Sequence, residues 1–266
     1  MTGIKCCIKK DIKEVLRTGK LILFFALSLG IGVFIILFTF LFTNIPDELT
    51  SQLPGVDIEA LEGMITQFYP RMVAQSVGVY SYYIGVFFSL VVIILTHNLL
   101  PKELKKGRWV LPIEQGYTRK DFVTSKCIVY GLLASVSVMT GYMIYFAVAN
   151  TFMIRNFMTR QAFFYAFVQG LNMFFIIAFT LLLSVCFKHS IIGAISMIAT
   201  VMVGPDILGV FSFGRYLPTH MLSMVYDSRG GFGELIGPLL LNILTLAFTY
   251  IWAVNKVEKL TVSRNA

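Results

Sequence analysis

Apolar residues gather in six long runs along this chain, at roughly 21–43, 79–99, 127–149, 162–185, 190–211 and 235–255. Each is near the ~20 residues that a helix needs to cross a hydrocarbon core. The pattern therefore predicts an all-α, polytopic membrane protein with six transmembrane helices. The first run, from Leu21 to Thr43, is longer than a signal-peptide core, and no small-residue cleavage site follows it. It is expected to stay as a span.

The polar stretches between the runs have patterns of their own. Over residues 3–18, Ile4, Ile8, Ile12 and Leu16 recur every fourth position with Val15 beside them, while Lys5, Lys9, Lys13 and Arg17 take the other faces. That spacing predicts an amphipathic helix. A basic amphipathic helix leading into a span is expected to lie in the inner membrane interface as an elbow, either as a plain anchor or also touching a cytoplasmic partner. In 44–78 the apolar positions Ile58, Leu61, Ile65 and Phe68 predict a short helix bracketed by Pro46, Pro54 and Pro70. This loop is acidic, reading either as a solvated outer loop or as a vestibule for a cationic substrate.

Inside the runs, small residues at i, i+4 spacing permit close helix approach. They are Gly131 and Ser135 in the third run, and Ser196, Thr200 and Gly204 in the fifth. Gly204–Pro205–Asp206 is a break in the fifth run, and Asp206 is the only acid inside any run. The expectation is that the membrane helix ends at Gly204 and that 207–234 forms short re-entrant or surface helices. The alternative places Asp206 in a cavity with a partner.

Charge adds orientation. The chain of 266 residues is 57% hydrophobic with net charge +8. Six bases fall in 1–20, seven in 101–126, one at Lys188 and three after Trp252; the other five (Arg71, Arg155, Arg160, Arg215, Arg229) fall in the alternate loops. This asymmetry is the positive-inside pattern, and it places both termini in the cytoplasm. Bases at membrane edges suit anionic headgroups, so the positive charge predicts no nucleic-acid partner. With six spans in 266 residues, the longest loops hold a few dozen residues, and one transmembrane domain over 1–266 leaves little room for a soluble catalytic domain.

Candidate chemistry is sparse. Cys6, Cys7, Cys127 and Cys186 all fall near the cytoplasmic side, where thiols stay reduced, and no CxxC pair occurs. Cys6–Cys7 reads as two free thiols, with acylation the alternative. His97, His189 and His220 lie in separate segments, which argues against one metal site. No GxxxxGK[ST] phosphate loop, HExxH or paired intramembrane carboxylate occurs. The expectation is a chain with no enzyme activity, cofactor or metal of its own.

The segment between the second and third runs, PKELKKGRWVLPIEQGYTRKDFVTSK at 101–126, is longer than a plain helix connection requires. It has a helix-compatible start at Glu103–Lys106, then Gly107 and Arg108, a break at Leu111–Pro112, a polar turn at Gly116–Thr118, and a second amphipathic stretch from Arg119. This arrangement resembles the inner loop of permease subunits of type 2 ATP-binding-cassette exporters. The resemblance rests on Glu103, Gly107, Leu111–Pro112, Thr118–Arg119 and Lys126, within a basic elbow, six runs and a broken region after the fifth. It implies that two permease chains, identical or related, form the pathway. It also implies that a separate cytoplasmic ATPase holds ATP and magnesium. The loop would then be the coupling element, with Glu103, Gly107, Arg108, Pro112, Thr118, Arg119 and Lys126 as ATPase-coupling residues. Peptides, lantibiotics, lipids and drugs are all substrates of such families. Two other readings of the residues stand beside it. One is an intramembrane enzyme acting on lipid or peptide, for which the runs offer little beyond Asp206, Asn172 and Gln169. The other is a non-transporting sensor or assembly subunit.

Overall fold

A computed structural model of the chain describes residues 3–44, 80–105, 118–152, 159–187, 189–211, 213–227 and 231–262. Its elements, in chain order, are α1 (Gly3–Arg17), α2 (Lys20–Asn44), a π-helical turn at Ile84–Phe88 followed by α3 (Ser89–Thr96), α4 (Leu99–Lys105), α5 (Arg119–Phe152), α6 (Thr159–Cys186), α7 (Ser190–Gly209), a 3-10 turn at Gly214–Tyr216, α8 (His220–Asp227) and α9 (Phe232–Val262). Among the described residues there is no strand. Six helical stretches are long and apolar enough to cross a membrane: Lys20–Leu37, Tyr80–Leu104, Lys120–Ala149, Ala162–Cys186, Ser190–Ile207 and Phe232–Val257. By length and composition, this is a multi-pass membrane protein.

The spans are not equivalent. In α6, 72% of the apolar stretch is buried, against 22% in each of α2, α7 and α9. The fourth span is therefore the axle of the bundle, and α2, α7 and α9 form its rim. The tight approach onto that axle is made through small residues. A methyl group at Gly131 would meet the Phe174 ring of α6 at 2.8 Å, and one at Gly170 would meet Met139 and Ser135 at 2.6–2.9 Å. The Gly131–Ser135 pair thus does what its spacing predicts. At Gly193, α7 lies against the Leu183–Ser184 backbone, 2.8 Å from where a methyl group would sit. The Ser196–Thr200–Gly204 row behaves differently. Only Gly204 meets a neighbour closely, Thr219 at 3.0 Å, while Thr200 is exposed.

On the other side of α5, the Gly141 position is closed by Ser28 and Tyr80. Tyr80 stacks on Tyr145 with centroids 4.5 Å apart and lies 3.3 Å from the Ser28 hydroxyl. Next to it, Gln169 of α6 donates to Ser81 at 2.6 Å. These polar contacts join spans one to four at the entrance to the π turn, a distortion common where a helix must re-aim its side chains.

One expectation is corrected here. The fifth helix does not end at Gly204. It runs through Pro205 to Gly209, and Asp206 is exposed near its end. Proline at 205 removes the amide that would bond the Val201 carbonyl, a local loss that the helix carries without ending there. Of the two readings of 207–234, re-entrant or surface, α8 fits the first: Met221, Leu222 and Met224 are buried in the bundle. Asn172 of α6 donates to the Met221 carbonyl at 2.8 Å, and Asn242 of α9 reaches the Pro218 carbonyl at 3.4 Å and the Met221 sulfur at 3.0 Å. Two span asparagines therefore satisfy the backbone of a segment that enters the bundle, as non-helical backbone at such depth requires. The helix expected around Ile58–Phe68 lies outside the described residues.

Candidate functional site

The site begins with a one-residue hinge. Thr18 N–H bonds back to Glu14 and Gly19 N–H to Leu16, closing α1, and the Gly19 carbonyl accepts from Leu23 to open α2. Gly19 has φ +69°, a left-handed conformation that glycine adopts without strain. The chain thus turns from α1 into α2 within two residues, and α1 folds back onto the start of α5.

The face of α1 that packs there is offset from the isoleucine row. Cys7, Asp11 and Val15 are buried, whereas Ile12 and Leu16 are 46% and 58% exposed. The expected apolar stripe is therefore split: Ile12 and Leu16 point away from the protein, Ile8 packs against its core, and a row one position over, with Val15, carries the contact. Its central member is a carboxylate that is 1% exposed.

Opposite it stands Lys126, fully buried on α5 between Phe122 and Tyr130, one turn to either side. Its Nζ lies 3.0 Å from Asp11 Oδ1, 3.1 Å from Glu103 Oε1 on α4 and 3.6 Å from Glu14 Oε2. Ser125 donates to the second Asp11 oxygen at 2.6 Å. Two more lysines close the group. Lys10 is 3.8 Å from Glu103 Oε2 and lies over the Phe122 ring, while Lys20 is 3.9 Å from Glu14 and donates to Tyr130 Oη at 3.0 Å. Three lysines thus face three carboxylates, and the group is electrically balanced.

That balance is what permits burial. A lone ammonium without water is costly, and three carboxylate partners offset its desolvation. Glu103 Oε2 is buried without a hydrogen bond, so the ring is not saturated on the α4 side. Burial pushes the nearby Cys7 thiol above its ordinary value, and the Asp11 charge adds to the shift. Among the described residues, no group of His, Cys, Asp or Glu side chains is placed to hold a metal. The acids gather around a lysine instead.

The coupling residues read from the sequence divide into three sets. Glu103 and Lys126 come together, but inward, so neither offers a surface contact. Thr118 caps α5: its hydroxyl donates to Asp121 Oδ2 at 2.7 Å and accepts from the Asp121 amide at 3.2 Å, a reciprocal capping box. Gly107, Arg108 and Pro112 lie outside the described residues, and Arg119 is described only as the first residue of α5. Asp11, Glu14, Lys10 and Lys20 were not singled out from the sequence. The available signal was Asp11 itself, four residues from both Cys7 and Val15 on one helical face.

No family model, curated protein or solved structure matches this chain. The six apolar helices and the buried charge cluster define its class: a multi-pass helical membrane protein with a polar tie at one end of the bundle.

Proposed function

We propose that the chain is the membrane-spanning permease subunit of an ATP-driven exporter, with both termini in the cytoplasm and α1 as an elbow helix in the inner interface. The observation that carries this reading is the Glu103–Lys126 ion pair at 3.1 Å, which joins the helices flanking the 106–117 loop and ties both to α1. A cytoplasmic ATPase pressing on that loop would move α4, α5 and the elbow as one body. The mechanism is a population shift: ATP and magnesium close the partner ATPase, and the pathway state that fits the closed partner gains the difference in docking energy.

Other features support the reading. The bases concentrate in one alternating set of the segments between spans, the segment after the fifth span enters the bundle, and a second permease chain would cover the exposed apolar face of α2. The substrate fits the peptide, lantibiotic, lipid or drug class, and the location fits a bacterial plasma membrane. On this reading the chain is no enzyme, and hydrolysis occurs on the partner.

The test is copurification of the chain with an ATPase encoded beside it, followed by transport in proteoliposomes. Arg119→Glu is expected to weaken the complex or uncouple hydrolysis from transport, at a cost of ~2–5 kcal/mol for a lost buried charge contact. A chain that binds no ATPase, or an Arg119→Glu variant that transports normally, overturns the proposal.

A further inference from the structure

A cleft of about 270 Å³ lies between α7 and α9, with α6 as its floor and Pro218–Leu222 as its roof. Along α6 it runs from Asn172 to Leu183, ~16 Å at ~1.5 Å of rise per residue. A cleft of this volume and length is far too narrow for a helix ~10–12 Å across and suits one extended chain. No charged residue lines it. Phe175, Ile176, Phe179 and Met197 supply an apolar wall. The threonines along its rim spend their hydroxyl protons within their own helices, Thr200 on Ser196, Thr245 on Leu241 and Thr249 on Thr245. The lining therefore favours hydrocarbon over a peptide or a sugar, which would leave polar groups unpaired there. Thr200 and Thr245 are exposed, so the cleft opens sideways on the face that meets lipid.

One end of the cleft carries a charge. Asn242, Thr249 and Lys256 follow at seven-residue intervals on α9, which places Lys256 on the same face, two turns beyond the last lining threonine. Asn172 and Asn242 both bond the Pro218–Met221 roof, so α6 and α9 run the same way from it along the cleft. The ammonium thus stands at the Leu183 end of the cleft.

We infer that this cleft is a lipid site that takes one acyl chain of an anionic phospholipid, with Lys256 at the headgroup. The site is on the inner leaflet, which rests on the orientation given under Proposed function. A chain seated there fills the gap between the fifth and sixth spans, and it couples their spacing to the lipid present.

The experiment places the full chain in nanodiscs of phosphatidylglycerol and phosphatidylcholine in equal parts. Each lipid is supplied in turn as an analogue with a diazirine midway along one acyl chain, and cross-linked peptides are read by mass spectrometry. The expected label falls on the lining residues Phe175, Ile176, Phe179, Asn242, Thr245 and Thr249, several-fold above the outward positions Leu244 and Phe248. Thr245→Trp, which fills the mouth, is expected to lower that label several-fold, and Phe248→Trp to leave it unchanged. Lys256→Ala is expected to abolish any preference for the phosphatidylglycerol analogue while chain labelling persists. Label spread evenly over all exposed apolar faces, or label indifferent to Thr245→Trp, overturns the site. An unchanged lipid preference in Lys256→Ala overturns the headgroup assignment. Failure of the permease reading appears separately, as absence of a copurifying ATPase.

Discussion

Lys126 reaches back 115 residues to place its ammonium 3.0 Å from Asp11, and the two groups are 0% and 1% exposed. A buried pair of this kind is worth little relative to an apolar replacement of both partners, yet breaking it from one side strands a charge. Lys126→Met, which leaves Asp11 and Glu103 without their shared counter-ion, is expected to cost ~3–5 kcal/mol, Asp11→Leu less because Lys126 keeps Glu103, and the double variant less than the two singles together. Thermal unfolding in detergent of the four proteins checks this. Simple additivity would mean that the pair does not act as a unit.

The Cys7 thiol gives an independent view of the same contact. Its value is raised by burial first and Asp11 second, so at neutral pH less of it is thiolate than for an ordinary cysteine. With the other three cysteines replaced by Ser, alkylation of Cys7 is expected to be slow at neutral pH and to quicken as pH rises past the ordinary thiol range. Asp11→Asn removes a neighbouring negative charge, lowers the thiol's value and should speed the reaction at fixed pH. A slower reaction in Asp11→Asn contradicts the arrangement.

Two glycines of similar sequence context should behave oppositely. A side chain at Gly141 meets Ser28 and Tyr80, whereas nothing lies within 4 Å of one at Gly30. Gly141→Leu is expected to lower stability by ~1–3 kcal/mol or more through overpacking, and Gly30→Leu to be near neutral. Unfolding midpoints of the two variants decide the point.

Asp206 is exposed close to the end of α7, so Asp206→Asn is expected to leave membrane levels unchanged and to alter transport only modestly. A pronounced, pH-dependent loss of transport at normal protein levels would place the carboxylate inside the pathway instead.

Orientation is tested by single cysteines in a Cys-free background. Glu59→Cys and Ser228→Cys should react with an impermeant thiol reagent from outside, and Lys106→Cys and Ser263→Cys should not. Outside labelling at Lys106→Cys would reverse the assignment made from the distribution of bases.

The spans were legible because length and apolarity alone define them, and each stretch begins within a few residues of its expected start except the third. There the helix starts at Arg119, well before the apolar run, because the Thr118–Asp121 capping box opens it in the polar loop. Glu103 and Lys126 stood out in the loop pattern, but their inward orientation did not. A charged residue carries no mark of which way it faces until its partner's helix is known, and here the partner is on α1. The burial of Asp11 was hidden for a related reason: the isoleucine spacing of α1 marks an amphipathic helix and does not report which residues a neighbouring helix covers. The entry of α8 into the bundle was one of two readings that the breaks in 207–234 allowed, and what distinguishes them, Asn172 and Asn242, lies far apart in the chain, each resembling an isolated polar residue within a span.

The turn at Gly19 has a consequence for biogenesis. The elbow helix and the first span emerge from the ribosome long before Lys126 exists, so Asp11 and Glu14 must wait through two insertion events for their counter-ion. Until the third span arrives, Lys126 is missing and only Lys20, 3.9 Å from Glu14 across the Gly19 turn, stands against the acidic face of α1. Nascent chains stalled before residue 126 should therefore keep α1 open to protease, and chains stalled beyond α5 should protect it. The amino terminus of this protein is finished last among its first three spans, and a quality-control protease has that interval in which to act.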